Sequence, residues 1–219
     1  MKPLDITLAG ERVTLLPERA LFWPRTQTLF VADAHVGKAA TFRAHAIPIP
    51  GGTTTDDLVR LSNALARTGA QRLVLLGDLF HAKVGRAEQT FSAVLAWRTA
   101  HAQLDITLVR GNHDKGAGDP PPEWRIACVD APCVALPFVL QHHPESHEAG
   151  YVLAGHIHPA AQLIGAGRQR LKLPCFWFGS QVGVLPAFGS FTGSVIVAPR
   201  AGDQVYVVAD DEVIDVEPR

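Results

Sequence analysis

Ile106–Arg110 (ITLVR) runs directly into Gly111-Asn112-His113-Asp114, and the reading of the fold starts from that junction. A short Val/Ile/Leu-rich run bounded by glycine reads as a buried strand, with the polar cluster just beyond its carboxyl end. The same arrangement recurs on both sides. Thr28–Ala32 (TLFVA) leads into Asp33-Ala34-His35, and Leu73–Leu76 (LVLL) into Gly77-Asp78. Phe138–Gln141 (FVLQ) leads into His142-His143-Pro144, and Tyr151–Ala154 (YVLA) into Gly155-His156-Ile157-His158-Pro159. In open α/β sheets, ligand sites lie outside the carboxyl ends of the strands. One sheet edge would then gather carboxylates, an amide and several imidazoles, a donor set suited to two divalent cations.

Around these junctions the chain reads as one domain over residues 1–219, α/β first and mostly β afterwards. Ile6–Ala9 and Val13–Leu16 form an entry hairpin about a Gly10-Glu11 turn. Residues 36–55 are a Pro/Gly/Thr-rich loop, long enough to suggest function. Thr55-Asp56-Asp57 opens a helix through Arg67, with Leu58, Leu61 and Leu65 on one face and Gly69 past its end. Residues 88–101 form a second amphipathic helix, and residues 116–123 a proline-rich loop. Leu171–Phe178, Ser194–Ala198 and Val205–Ala209 predict an antiparallel second sheet, with Phe176, Trp177 and Phe178 in its core.

Composition limits the function classes. Apolar residues make up 47% of the 219, enough for a sizeable core, and the net charge is −1. A polyanion must therefore be held by local cations or metals, because the global field offers little attraction. Arginine outnumbers lysine fifteen to five, which suits bidentate phosphate contacts. The cysteines Cys128, Cys133 and Cys175 are odd in number and lack CxxC spacing, against a disulfide framework or zinc knuckle. No secretory h-region and no run of about 18 apolar residues is seen, so a cytoplasmic protein without a membrane partner is expected.

Singly, each motif has an ordinary reading: Gly-Asp as a turn, Asp-x-His as hydrogen-bonded surface, a buried histidine satisfied by a carbonyl. The series D-x-H, G-D, G-N-H-D, H-x-P and G-H-x-H, each after a strand-like run, is what chance does not readily produce. It resembles the calcineurin-like metallophosphoesterase superfamily, all five motifs intact over residues 33–158. The resemblance implies an α/β fold, a two-sheet β-sandwich flanked by helices. It also implies that Asp33, His35 and His158 hold one metal, that Asn112, His142 and His156 hold a second, and that Asp78 bridges them. His142 competes with His143 for its place; His142 ends the strand directly and is preferred. His113 would assist the leaving group, with Asp114 orienting its imidazole. Oxygen and imidazole donors without thiolate suit manganese, with iron or zinc as alternatives.

Serine/threonine phosphatases carry Asp-Arg-Gly after the second motif and Glu after Gly-Asn-His, whereas this chain has Leu79-Phe80-His81 and Asp114. The longer strings DAHVGKAATFRAHAIPIPGGTT, GDLFHAKVG, GHIHPA and LPCFWFGSQVGVLPAFGSFTG are similar to the bacterial DNA-ligase-associated metallophosphoesterases, from about Leu15 to about Val208. Ala34 stands where a leucine is common. This closer resemblance implies a manganese-dependent phosphodiesterase acting as an endonuclease on single-stranded DNA. It also implies a DNA-repair setting shared with a helicase, an exonuclease and a DNA ligase. A cyclic-nucleotide or small-nucleotide phosphodiesterase is the alternative enzyme. A non-catalytic repair scaffold is a third reading, although none of the expected ligands is broken. Lys38 and Arg43 are candidates for flanking phosphates, and His81 for the reacting one; Arg168, Arg170 and Lys172 read as a solvated sheet edge.

Overall fold

Alternation along three parallel strands sets the layers of this computed structural model, which describes residues 1–38, 42, 53–80, 87–165, 167, 169–190 and 192–216. In β4 (Thr28–Val31), β5 (Arg72–Leu75) and β6 (Asp105–Val109), Leu29, Val31, Leu73, Leu75, Ile106 and Leu108 join one core cluster. Phe30, Val74, Leu76 and Val109 join another. Successive side chains of a strand point to opposite faces, so this sheet is buried on both.

The first sheet runs in the order β1 (Leu4–Leu8), β2 (Glu11–Leu16), β3 (Ala20–Trp23), β4, β5, β6, β7 (Ala127–Val129). Its first four strands pair antiparallel and β4 to β7 pair parallel. The cluster on one face includes Leu61, Ala64 and Leu65 of α1 (Thr53–Thr68) and Val94 of α2 (Glu88–Ala100). Helix α1 starts at Thr53, two residues before the expected Thr55. In α2, Arg98 is buried, its guanidinium donating to the carbonyls of Trp124, His101 and Leu104.

The other face packs on the second sheet. Its path is β14 (Val195–Ile196), β11 (Pro159–Ile164), β12 (Arg170–Phe178), β13 (Val182–Val184), β10 (Tyr151–Ala154), β9 (Phe138–Leu140), β8 (Cys133–Ala135). β15 (Gln204–Ala209) pairs with β12 and with β16 (Glu212–Val216). Phe30, Phe138, Phe176 and Phe178 interlock between the sheets. Two expectations change. The second sheet is mixed, because β10 pairs parallel with both β9 and β13, and β14 parallel with β11. Trp177 leaves the sandwich core by strand alternation and packs on the opposite face with Cys175 and Val205.

A strap joins the sheets at one end. The N–H of Leu185 donates to Ala154 O (2.9 Å), that of Phe188 to Ala32 O (2.8 Å) and that of Gly189 to Asp33 O (3.1 Å). The LPAFGS stretch thus leaves the β10 side and runs beside the end of β4.

Candidate metal centre

The carboxyl ends of β4, β5, β6, β9 and β10 deliver Asp33, Asp78, Asn112, His142 and His156 to this same end, as the junction reading requires. Asp33, His35 and His158 place one ligand atom each within 4.8 Å of one another, and Asp78, His142 and His156 do the same. The groups abut: Asp33 Oδ1 lies 3.9 Å from His142 Nδ1. Asn112 completes the second group, its Oδ1 3.0 Å from His142 Nε2.

Backbone conformation at these positions is costly. Asp33 (φ 53°), His35 (45°), Asp78 (51°), His156 (76°) and His158 (51°) all occupy the left-handed region. Each costs on the order of 1–3 kcal/mol and persists where surrounding structure imposes it. Glycines admit the close approach: a Cβ on Gly77 would strike the His142 ring, one on Gly111 the Asp78 carboxylate, and one on Gly155 Asp33 Oδ2.

The hydrogen bonds orient the donors. A carbonyl can only accept, so His142 Nδ1–H donates to Leu76 O (3.0 Å) and His158 Nδ1–H to Gly193 O (2.9 Å). In the neutral ring each Nε2 then carries a lone pair, the tautomer a metal ligand needs. Lone pairs converge. His35 Nε2 and His158 Nε2 are 3.3 Å apart, and His142 Nε2 is 3.1 Å from His156 Nδ1 and 3.3 Å from Asp78 Oδ2. Asp33 Oδ2 accepts from His156 N–H (2.9 Å), while the buried Oδ1 receives no well-formed hydrogen bond, with His158 Nε2 at 3.4 Å. A buried acceptor aimed into a ring of acceptors fits a cation. The residues present therefore fit two divalent metals.

Charge follows the same logic in the protein alone. Burial opposes charge on His142, but the Asp78 hydrogen bond and charge, the Leu76 carbonyl and Asp33 outweigh it and raise its pKa. His158 is likewise raised, by Asp33 against burial. His156 is lowered by burial and by the charges of His142 and His143. Burial pushes Asp78 up, yet His142 and the His113 amide leave it below its usual range.

His142, 1% exposed, occupies the cluster, and His143 is exposed with its ring 4.3 Å from that of His156. His113 stands on the rim, its Nε2 3.8 Å from Asp78 Oδ2 and its ring 5.6 Å from that of His35. Asp114, expected to orient His113, accepts from four backbone amides. Its Oδ2 accepts from the N–H groups of Asp78 (2.7 Å) and Gly111 (2.8 Å), its Oδ1 from Leu79 (2.9 Å) and Phe80 (3.4 Å). Both oxygens thus clamp the loop after β5 to the start of α3 (Asn112–Ala117). Burial is the largest influence on this carboxyl and raises its pKa, with the amides pulling the other way.

Lys38 is half-buried near the centre, its pKa lowered by burial against the pull of Asp33 and Asp78. Arg43, His81 and Arg168 lie outside the described residues. Lys172 is exposed, as read, and donates to Ser194 O (2.5 Å). Arg19, between β2 and β3, also reaches this end, its Nη1 donating to Ala187 O at 3.5 Å. No local sequence pattern marks it; only the antiparallel return of β3 along β4 brings it there.

Comparison with known proteins agrees with this geometry. A model of the calcineurin-like phosphoesterase family matches residues 26–137. The chain is similar to the crystal structure of Pseudomonas putida nuclease MPE, with 41% identity and a TM-score of 0.88, over 98% of this chain and 100% of that one. It is also similar to Yfce, a phosphoesterase from E. coli, with 16% identity and a TM-score of 0.42, over 88% and 99%. No curated protein sequence matches. With the family model matching residues 26–137 and the near full-length likeness to the P. putida nuclease at 41% identity, the chain belongs to the calcineurin-like phosphoesterase family.

Proposed function

We propose that the protein is a manganese-dependent, dinuclear phosphodiesterase that cuts single-stranded DNA internally, within a bacterial repair pathway in the cytoplasm. The observation that carries this reading is the near full-length likeness, at 41% identity, to a protein named as a nuclease, joined to two adjacent donor groups. Their all-nitrogen and oxygen chemistry, without a cysteine among them, favours manganese over softer ions.

Asp33, His35 and His158 would hold one cation, and Asn112, His142 and His156 the other, with Asp78 shared. When bound, such a pair polarises phosphoryl oxygens and lowers the pKa of water to supply a nucleophile near neutral pH. The chain's residues do the rest. Leu76 O and Gly193 O hold the two imidazoles in the ligand tautomer. His113 Nε2, half-exposed at the rim, would hand a proton to the departing oxygen. Lys38 would draw in a phosphate, with Arg43 and His81 as further contacts. Functional association with a helicase, an exonuclease and a DNA ligase belongs to the same proposal.

The test is metal analysis paired with nicking of circular single-stranded DNA in manganese, beside hydrolysis of cyclic nucleotides. Linearised circles with bound manganese are the expected result. Cyclic-nucleotide turnover without nicking would move the substrate to small nucleotides, and stable metal-free protein inert on both would leave a scaffold.

A further inference from the structure

A cleft of about 130 Å³ opens beside the first donor group, with the ligand His158 in one wall and Arg19, Ala187, Lys172, Ser190 and Ser194 in the others. That is the room of several waters at ~30 Å³ each. Two cations face it from different sheets: Arg19 from the β2–β3 turn of the first, Lys172 from β12 of the second.

Arg19 is half-buried, yet among the described residues its guanidinium makes one long hydrogen bond and no ion pair. A guanidinium offers five N–H donors, and a partly buried one is ordinarily paired. Burial and the neighbouring Arg60 charge lower its pKa against a smaller opposite pull from Asp57, whose own hydrogen bonds go to Arg60 (2.7 Å) and Ser190 Oγ (2.5 Å). Lys172 donates to the Ser194 carbonyl and has no carboxylate partner among the described residues, so its charge is likewise uncompensated. Ser190 is a common wall: on its other side a narrower cleft is bordered by His35 and Lys38. Lys38 in one cleft and Arg19 with Lys172 in the other thus lie beside the ligands His35 and His158, on a molecule whose net charge is −1.

We propose that the Arg19–Lys172 cleft is a phosphate subsite that holds a backbone phosphodiester of the strand next to the one being cut. The inference rests on the single-strand nuclease reading and explains how a nearly neutral protein would hold a polyanion: by a local pair of cations. Phosphate contacts of this kind fix position without reading sequence.

The test compares Arg19→Gln, Lys172→Gln and the double variant with Arg12→Gln, which removes one charge, as each single variant does, at an exposed ion pair with Asp5. Dissociation constants for a fluorescent oligothymidylate are measured over a salt series without added divalent metal. In manganese, kcat/KM is measured for a long strand and for a dinucleotide. Each phosphate neutralised on a single strand contributes about 0.7 to the salt slope, so the double variant, which empties a subsite for one phosphate, should lose about 0.7 of it. Loss of the hydrogen bonds to that charged phosphate should lower the double variant's preference for the long strand over the dinucleotide by about tenfold or more, while Arg12→Gln keeps both slope and preference. Lys172→Gln, being exposed, keeps the test open should Arg19→Gln fold poorly. A slope and a length preference unchanged in a folded double variant would overturn the subsite. Dependence on a terminal phosphate would overturn its assignment to an internal one. Failure of the wild type to bind or cut single strands would instead sink the nuclease reading itself.

Discussion

Gly155 separates steric necessity from ordinary packing. A Cβ there would sit 2.5 Å from Asp33 Oδ2 and 2.7 Å from Ala32 Cβ, on a strand end that cannot retreat without moving His156. Gly155→Ala should lower stability by about 1–3 kcal/mol, the usual cost of overpacking, and weaken metal binding at least several-fold. Gly116→Ala, with nothing within 4 Å and helical surroundings, should be neutral or stabilising by up to about 1 kcal/mol. Thermal melts and metal titrations of the two variants check this; equal behaviour would refute the crowding. The imidazoles predict a pH dependence at the same scale. His142 and His158 have raised pKa values, so their protonated forms persist nearer neutrality than for free histidine. Their protons stabilise the metal-free protein below the unfolded pKa, and that contribution is lost as pH rises through the folded values. Metal needs both rings neutral, so apparent affinity should climb as pH rises past the usual histidine range and through the raised folded values, with proton release on binding. Isothermal titration in buffers of different ionisation heat would show the protons, and a flat profile would contradict the shifts.

At the scale of elements, Asp114 ties α3 to the loop after β5 through four backbone N–H groups. Asn in its place turns an NH2 towards those donors, and each buried amide left unpaired costs about 1–3 kcal/mol. Asp114→Asn should therefore lose about 3 kcal/mol or more in a denaturant melt and loosen Asp78, weakening metal binding with it. A variant of wild-type stability would return Asp114 to the imidazole-orienting role. This element also marks where sequence reading stops. β4, β5, β6, β9 and β10 were legible because continuous apolar runs end on ligands, and α1 because Leu58, Leu61 and Leu65 share a face. No sequence signal marks helix α3, whose last two residues fall in the loop expected from Gly116, because Gly116, Gly118 and Pro120 hide a six-residue helix that begins on a ligand. β7 and β8, three residues each, are too short to show a period. Parallel pairing of β10 with β9 and β13 is a matter of spatial order, which local alternation does not encode. The LPAFGSFTG string stood out in sequence without a reason. Its structural reason is the strap from Leu185 to Gly189, held to α1 by Arg60 stacked on Phe188 and by the Asp57–Ser190 hydrogen bond.

Across the whole molecule, the ligands divide between the two sheets. The first supplies Asp33, His35, Asp78 and Asn112 from the ends of β4 to β6, and the second supplies His142, His156 and His158 from β9, β10 and the approach to β11. The sheets are otherwise held by an apolar interior and, at this end, by the strap. Cations between the donors would clasp the sandwich where like-charged carboxylates and strained backbone weaken it. Each ion at about 100 times its dissociation constant adds about 2.7 kcal/mol, and for a chain of this size two ions correspond to a melting shift of about 10–20 °C. Chelator-treated protein should melt lower by that order, and manganese should restore it. Asp78→Asn should shrink the metal-induced shift to a few degrees while leaving the chelated protein's melting point close to the wild type's, because the variant removes a buried charge as well as a ligand. If protein shown to carry manganese melts at the same temperature before and after chelation, the ions do not join the sheets and the two halves of the site are held by packing alone.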